Sequence, residues 1–198
     1  MIDYIKGKLV ELTPTDAVIE CGGIGYHTLI SLQTYSALEN KDEVKVYIHH
    51  ILREDEEMYY GFADKDERGI FRLLIGVSGV GAGTARMMLS SLSTEEVRDA
   101  ILSEDIVRIK SIKGIGLKTA QRVIIDLKDK IVKGEASDSG SIPGFTVADS
   151  NIVSEATTAL VMLGFSKPNV SKAVSSIIKE KPTATLEEII KIALKKLS

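Results

Sequence analysis

The period of the apolar residues changes near residue 62. From Met1 to Phe62 they alternate with polar ones or gather in short β-branched runs, at Ile5–Leu12, Ala17–Cys21, Tyr26–Leu32, Val44–Ile51 and Met58–Phe62. A period of two predicts half-buried strands. Turns are supplied by Thr13-Pro14-Thr15-Asp16 and Gly22-Gly23-Ile24-Gly25. Five short strands in so small a region predict a barrel of OB type, although strand count alone does not separate it from an SH3-like barrel.

Beyond residue 62 the spacing becomes helical. Asp64 and Glu67 form a capping pair ahead of the apolar stripe Ile70, Phe71, Leu74 and Ile75. Further helix starts are expected at Ser93, where Glu96 has capping-box spacing before Val97, Ile101 and Leu102, and at Ser103, with helix continuing to about Val132. The stretch GEASDSGSIPGFTVADS, Gly134–Ser150, has neither period and reads as a mobile linker. Three short helical patterns follow, Ile152–Leu163, Pro168–Lys179 and Leu186–Leu197, with Leu160, Leu163, Phe165 and Val174 expected in their shared core. The predicted class is α+β and multidomain: a five-stranded OB-like barrel over 1–62, a helical domain over 63–133, a linker over 134–150 and a three-helix domain over 151–198.

Composition narrows the setting. The 198 residues are 44% hydrophobic, enough for compact cores, and the single Cys21 excludes an internal disulfide framework and suits a reducing, cytoplasmic compartment. Cys21 itself reads as a small core residue. No basic leader precedes an apolar block in Met1-Ile2-Asp3-Tyr4-Ile5-Lys6, and no apolar run approaches the ~20 residues of a membrane span. The net charge of −3 argues mildly against a nucleic-acid partner, but it is unevenly spread. Residues 1–62 hold eleven acidic against five basic side chains, residues 63–133 ten against thirteen, and residues 134–198 seven against seven. Only the middle region is net basic.

That region contains a repeat. SGVGAGTARMMLSSL, Ser78–Leu92, and KGIGLKTAQRVIIDL, Lys113–Leu127, align Gly79-Val80-Gly81 with Gly114-Ile115-Gly116 and Thr84-Ala85 with Thr119-Ala120, 35 residues apart. A fixed offset implies a duplicated unit, here helix, tight hairpin, helix. Glycine serves where backbone takes positive φ or approaches something closely. A helix that starts on such a turn points unpaired N–H groups and its positive dipole end outward, which makes an anion site. Lys113, Lys118, Arg122 and Arg86 lie close enough in sequence to reinforce it. Neither turn has the G-x-x-x-x-G-K-[ST] pattern of a nucleotide P-loop and neither follows a strand, so nucleotide and dinucleotide sites are both excluded. Glycines that merely tighten two helical hairpins are the plainer alternative.

With both turns, REDEEMYYGF at Arg53–Phe62, ERGIFRLLI at Glu67–Ile75 and GIGLKTAQRVIIDLKDK at Gly114–Lys130, the chain resembles the RuvA family along essentially its whole length. Members are Holliday-junction-binding subunits of the bacterial branch-migration complex. The resemblance implies an OB-fold domain, two helix-hairpin-helix motifs gripping phosphates, and a helical domain that engages the hexameric ATPase RuvB. It also implies a homotetramer, or an octamer on DNA, holding a four-way junction open, with the RuvC resolvase as a further partner. DNA-binding residues would be Gly79, Gly81, Arg86, Lys113, Gly114, Gly116, Lys118, Thr119 and Arg122. Glu54 and Asp55, which as a bare charge run read as a solvated turn, would form an acidic pin at the junction centre. Gly83 and Leu117 stand where the family often carries Lys, so more of the grip falls to backbone amides.

No catalytic constellation emerges. His27, His49 and His50 lack a third metal ligand at suitable spacing and lack a nucleophile or paired carboxylate; no metal or cofactor is expected, and the chain reads as a non-catalytic subunit. Two rivals remain: a helix-hairpin-helix DNA-repair enzyme, for which Asp126 and Lys128 are the available residues, and a scaffold that binds DNA without specificity or uses its hairpins only for helix packing.

Overall fold

The computed structural model describes residues 2–132, 149–181 and 184–197. They make two compact units, the first within residues 2–132 and the second within residues 149–197.

The first unit begins as a barrel. β1 (Tyr4–Leu12), β2 (Asp16–Cys21), β3 (Ile24–Ile30), β4 (Glu43–Leu52) and β5 (Glu57–Phe62) close in the order β1-β2-β3-β5-β4. All pairings are antiparallel except β3 with β5, the parallel contact that shuts the barrel. Alternation puts Ile5, Ile19, Ile30, Val46 and Ile48 inside, each buried. Cys21 is exposed rather than in the core, because it ends β2 at the Gly22-Gly23 turn.

The expected third strand extended to Leu32, but β3 stops at Ile30 and a helix, α1 (Leu32–Leu38), comes next. Ser31 is its N-cap, accepting from the Thr34 N–H. The periodic signal was Leu32, Tyr35 and Leu38 behind that serine, and β-propensity at Ile30 masked it. This helix ties the barrel to the helical region: the Ser31 hydroxyl donates to Glu67, and the Thr34 hydroxyl donates to the other Glu67 carboxyl oxygen at 2.6 Å. Glu67 is fully buried; loss of solvent raises its pKa, and the two hydroxyl donors oppose that rise. Beside it, Arg68 donates to the Asp3 carboxylate and carbonyl, both at 2.7 Å, and to the Ile48 carbonyl at 3.2 Å. The Arg68 hydrogen bond holds the Asp3 carboxyl below its ordinary value.

Both residues sit on α2 (Lys65–Ile75), which Asp64 caps as its spacing predicts. Next come α3 (Ala82–Ser91), α4 (Thr94–Leu102), α5 (Ile106–Lys110) and α6 (Leu117–Val132). Ser93 and Glu96 form the full capping box of α4. Ser103 does not start a helix. Its N–H still bonds back to the Asp99 carbonyl as the C-cap of α4, Glu104 reverses the chain at φ +57°, and Asp105 caps α5. One apolar cluster runs from Tyr60 and Phe62 of β5 through Phe71, Leu74 and Leu89 to Val123 and Leu127.

In the second unit, α7 (Asp149–Met162), α8 (Lys167–Glu180) and α9 (Leu186–Leu197) enclose Ala156, Leu160, Val170, Val174, Ile177, Ile189 and Ala193. Phe165 is half-buried against them. Leu163 is not part of this core: it is 60% exposed, because the helix has ended at Met162 and Gly164 turns the chain at φ +99°. Most of the expected linker lies outside the described residues; Asp149 and Ser150, its last two, open α7. Among the described residues no helix is long and apolar enough to cross a membrane.

Candidate nucleic-acid interface

The two glycine turns have the same construction. In the first, Val77 and Val80 are buried and the Val80 N–H bonds to the Val77 carbonyl at 3.0 Å; in the second, Ile112 and Ile115 are buried and the Ile115 N–H bonds to the Ile112 carbonyl at 3.1 Å. The apolar pair anchors each hairpin in the common core, so its glycines project outward. Gly79 at φ +92° and Gly114 at φ +90° make the reversal, a backbone state that L side chains resist. Gly81 and Gly116 then open α3 and α6: the Gly81 carbonyl accepts from Ala85 and the Gly116 carbonyl from Ala120, both at 2.9 Å.

The second glycine of each pair has no internal reason to be glycine. Gly81 has an ordinary φ of −85°, the φ of Gly116 is not positive, and a Cβ on either would meet nothing within 4 Å. Neither has a side chain to cap its helix, so the first-turn N–H groups face outward without that acceptor. A missing side chain in front of unpaired amides leaves room for an anion to approach the backbone.

The hairpins are neighbours. A Cβ on Gly79 would lie 3.8 Å from the Thr119 hydroxyl, and a cavity of about 510 Å³ opens between them, lined by Ser78, Gly79, Lys118, Thr119, Gln121, Arg122, Ile125 and Asp126. Four of the residues expected from sequence, Gly79, Lys118, Thr119 and Arg122, therefore converge on one site. Lys113, Gly114, Gly81 and Gly116 are exposed on the hairpins themselves, outside the cavity lining. Arg86 is elsewhere: it donates to the Thr15 carbonyl at 3.0 Å, clamping α3 to the β1–β2 turn. Gly83 faces open space and Leu117 is half exposed, so neither supplies charge.

Charge pairing sorts the cations. Arg68 is held by Asp3, Arg98 by Asp66, Arg108 by Glu96 and Lys128 by Glu104. Among the described residues, Lys113, Lys118 and Arg122 have no carboxylate within ion-pair reach. Lys65, Lys110 and Lys130 of the same unit are likewise outside these ion pairs, so the open charge at the hairpins is part of a wider set. Sequence reasoning saw the basic bias but not which cations are paired. Lys128, a candidate for repair chemistry, is already engaged by Glu104, whereas Asp126 does face the cavity.

Glu54 and Asp55 occupy the exposed turn between β4 and β5, closed by the Arg53 N–H on the Glu56 carbonyl at 2.8 Å. β5 leads from this turn directly into the core that carries both hairpins, which makes turn and hairpins parts of one packed unit. Of the histidines, His27 lies 3.3 Å from Asp16, His49 packs on Phe71 and His50 stacks on Tyr59. Among the described residues no cluster of three His, Cys, Asp or Glu is placed to hold a metal ion.

A closed five-stranded barrel joined to paired, outward-facing glycine hairpins defines a tandem helix-hairpin-helix DNA-binding protein. Comparison with known proteins agrees along the chain: the RuvA N-terminal domain matches residues 1–61, a SAM-like helix-hairpin-helix tandem residues 71–129, and the RuvA C-terminal domain residues 151–198. The chain belongs to the RuvA family. Proteins named Holliday junction branch migration complex subunit RuvA are 54% identical in Christiangramia forsetii, 52% in Bacteroides fragilis and 51% in Flavobacterium psychrophilum, each covering all of both chains.

Proposed function

We propose that this chain is the junction-holding subunit of a branch-migration complex, binding four-way DNA through backbone amides at Gly79, Gly81, Gly114 and Gly116. Lys113, Lys118, Thr119 and Arg122 reinforce those amides; Arg86 supports the first hairpin from behind through Thr15. The observation that carries the reading is the pair Gly81 and Gly116, glycines with neither φ nor packing to require them, set before helices that they have no side chain to cap. Such a grip reads phosphate position rather than base sequence.

Glu54 and Asp55 act as the acidic pin. Copies from each subunit of a homotetramer, or of an octamer formed on DNA, repel phosphates from the centre while the hairpins attract the arms. Uninterrupted duplex has no gap for the pins and is disfavoured. The division of labour is the barrel at the centre, residues 63–133 on the arms, 134–150 as tether and 151–198 on the RuvB hexameric ATPase. On the last unit, Val161, Met162 and Leu163 form an exposed apolar run at the end of α7, a surface suited to the motor. The chain itself is non-catalytic and cytoplasmic, with RuvC a further partner at the same junction.

The deciding experiment is a gel shift with four-way, duplex and single-stranded DNA across a salt series, followed by branch migration with RuvB and ATP. Tight four-way binding that weakens steeply with salt supports the reading. Equal affinity for all three DNAs, or cleavage of any of them by the chain alone, refutes it.

A further inference from the structure

Ser31-Leu32-Gln33-Thr34, the N-cap and first turn of α1, bonds to three different helices of the hairpin region. The Ser31 and Thr34 hydroxyls donate to Glu67 of α2, and the Leu32 N–H donates to the Ser90 hydroxyl of α3 at 3.2 Å. Gln33 pairs reciprocally with Thr94, the first residue of α4: its amide N–H donates to the Thr94 hydroxyl and its carbonyl accepts from the Thr94 N–H, both at 2.9 Å. We infer that this turn is a positioning element for junction recognition, with Gln33 its chief positioning residue: it holds the first glycine hairpin in fixed register with Glu54 and Asp55.

The chemistry of the turn suits that role. Ser31, Thr34, Glu67 and Thr94 are all buried polar residues, and burying such groups is unfavourable unless they are bonded. The Thr34 hydroxyl uses its accepting side as well, taking the Ala63 N–H at 3.1 Å where β5 gives way to α2. Apolar surfaces slide over one another at little cost, whereas a satisfied polar network has one arrangement. These bonds therefore fix a register that the shared apolar core alone leaves loose.

The placement agrees. The first hairpin, with Gly79 and Gly81, is the link between α2 and α3, and the turn grips both of those helices, through Glu67 and through Ser90. Arg86 adds a second tie from α3 to the barrel at Thr15, and the Ser90 hydroxyl donates to the Arg86 carbonyl at 2.9 Å, joining the two ties. The second hairpin opens α6, which packs on α2, α4 and α5 and so takes its position from helices the turn already holds. On the other side, α1 runs on into β4, whose far end is the turn carrying Glu54 and Asp55. The inference rests on the reading of those two residues as the pin and of the hairpins as the phosphate grip. Plain duplex engages hairpins only, but a four-way junction must meet hairpins and pin at once, so junction binding alone senses their separation. A chain that holds the spacing in advance does not have to order it on binding.

The test measures dissociation constants of the full chain for four-way and duplex DNA at one salt concentration, beside thermal melts. Gln33→Ala lowers four-way affinity about fivefold or more while duplex affinity stays within about twofold of wild type. Gln33→Glu keeps an acceptor for the Thr94 N–H and hydroxyl and restores the ratio. Ser90→Ala removes the acceptor of the Leu32 N–H at a half-exposed position, so it narrows the ratio in the same direction with little demand on folding. Leu38→Val trims the barrel core at the other end of α1, lowering the melting temperature but leaving the ratio unchanged. A wild-type ratio in folded Gln33→Ala or in Ser90→Ala overturns the inference, as do equal losses on both DNAs or a ratio that falls in Leu38→Val in step with stability. A wild-type chain without preference for four-way DNA overturns the functional reading itself, and so the two failures are told apart.

Discussion

Replacing Gly116 with alanine separates recognition from folding. A Cβ at this position meets nothing within 4 Å and φ is not positive, so the folded backbone accepts it. Alanine is a poorer residue than glycine at a helix start, costing about 0.5–1 kcal/mol. Its narrower unfolded ensemble returns about 0.4–1 kcal/mol. The two offset and the melting temperature should barely move. Binding behaves differently, since the added methyl stands between the first-turn amides of α6 and any phosphate. A hydrogen bond to a charged group contributes about 1.5–3 kcal/mol, so losing one such contact lowers four-way affinity about tenfold to a hundredfold. Gly114→Ala is the counterpart: at φ +90° it costs about 1–2 kcal/mol of stability whether or not DNA is present. Valine at Gly114 or Gly79 would confound the two effects for the same reason. The assay pairs thermal melts with junction dissociation constants at one fixed salt concentration. A Gly116→Ala chain that binds four-way DNA within about threefold of wild type would show that no ligand approaches this backbone.

Other substitutions probe other links. Neutralising the pin as Glu54→Gln with Asp55→Asn should raise affinity for plain duplex and narrow the junction-to-duplex ratio; an unchanged ratio returns the cluster to a solvated turn. A fragment of residues 1–133 should still shift four-way DNA but lose stimulation of RuvB, and failure to bind junctions would contradict the division of labour. Met162→Glu, at a side chain 83% exposed, should reduce that stimulation without lowering the melting temperature, and full stimulation would clear this surface of a role. Burial raises the Glu67 pKa above its usual 4.5, so the stability Glu67 contributes is complete at pH values below that of the unfolded chain and is lost as pH rises through the folded value. Glu67→Gln removes the ionisation, so its stability relative to wild type should improve from pH 4 to pH 8 in denaturant titrations; a difference independent of pH would refute this.

Much of the molecule is encoded in short-range signals, and those are what the sequence by itself determined. Asp64 with Glu67 and Ser93 with Glu96 are contacts within one helical turn, so their spacing suffices to place α2 and α4. The repeat of Gly79-Val80-Gly81 at Gly114-Ile115-Gly116 is equally local, because a glycine reversal followed by a helix start depends on backbone preferences and not on distant partners. Alternation in the first 62 residues likewise predicts strands, since it needs only one buried face. Tertiary structure decided what depends on who meets whom. It brought Gly79 against Thr119, and so made one cavity from two hairpins. It turned Arg86 toward Thr15 and matched Arg98, Arg108 and Lys128 with carboxylates, leaving Lys113, Lys118 and Arg122 among the open charges. A pairing between residues far apart in sequence leaves no period or motif in either segment, because only the folded core fixes their distance.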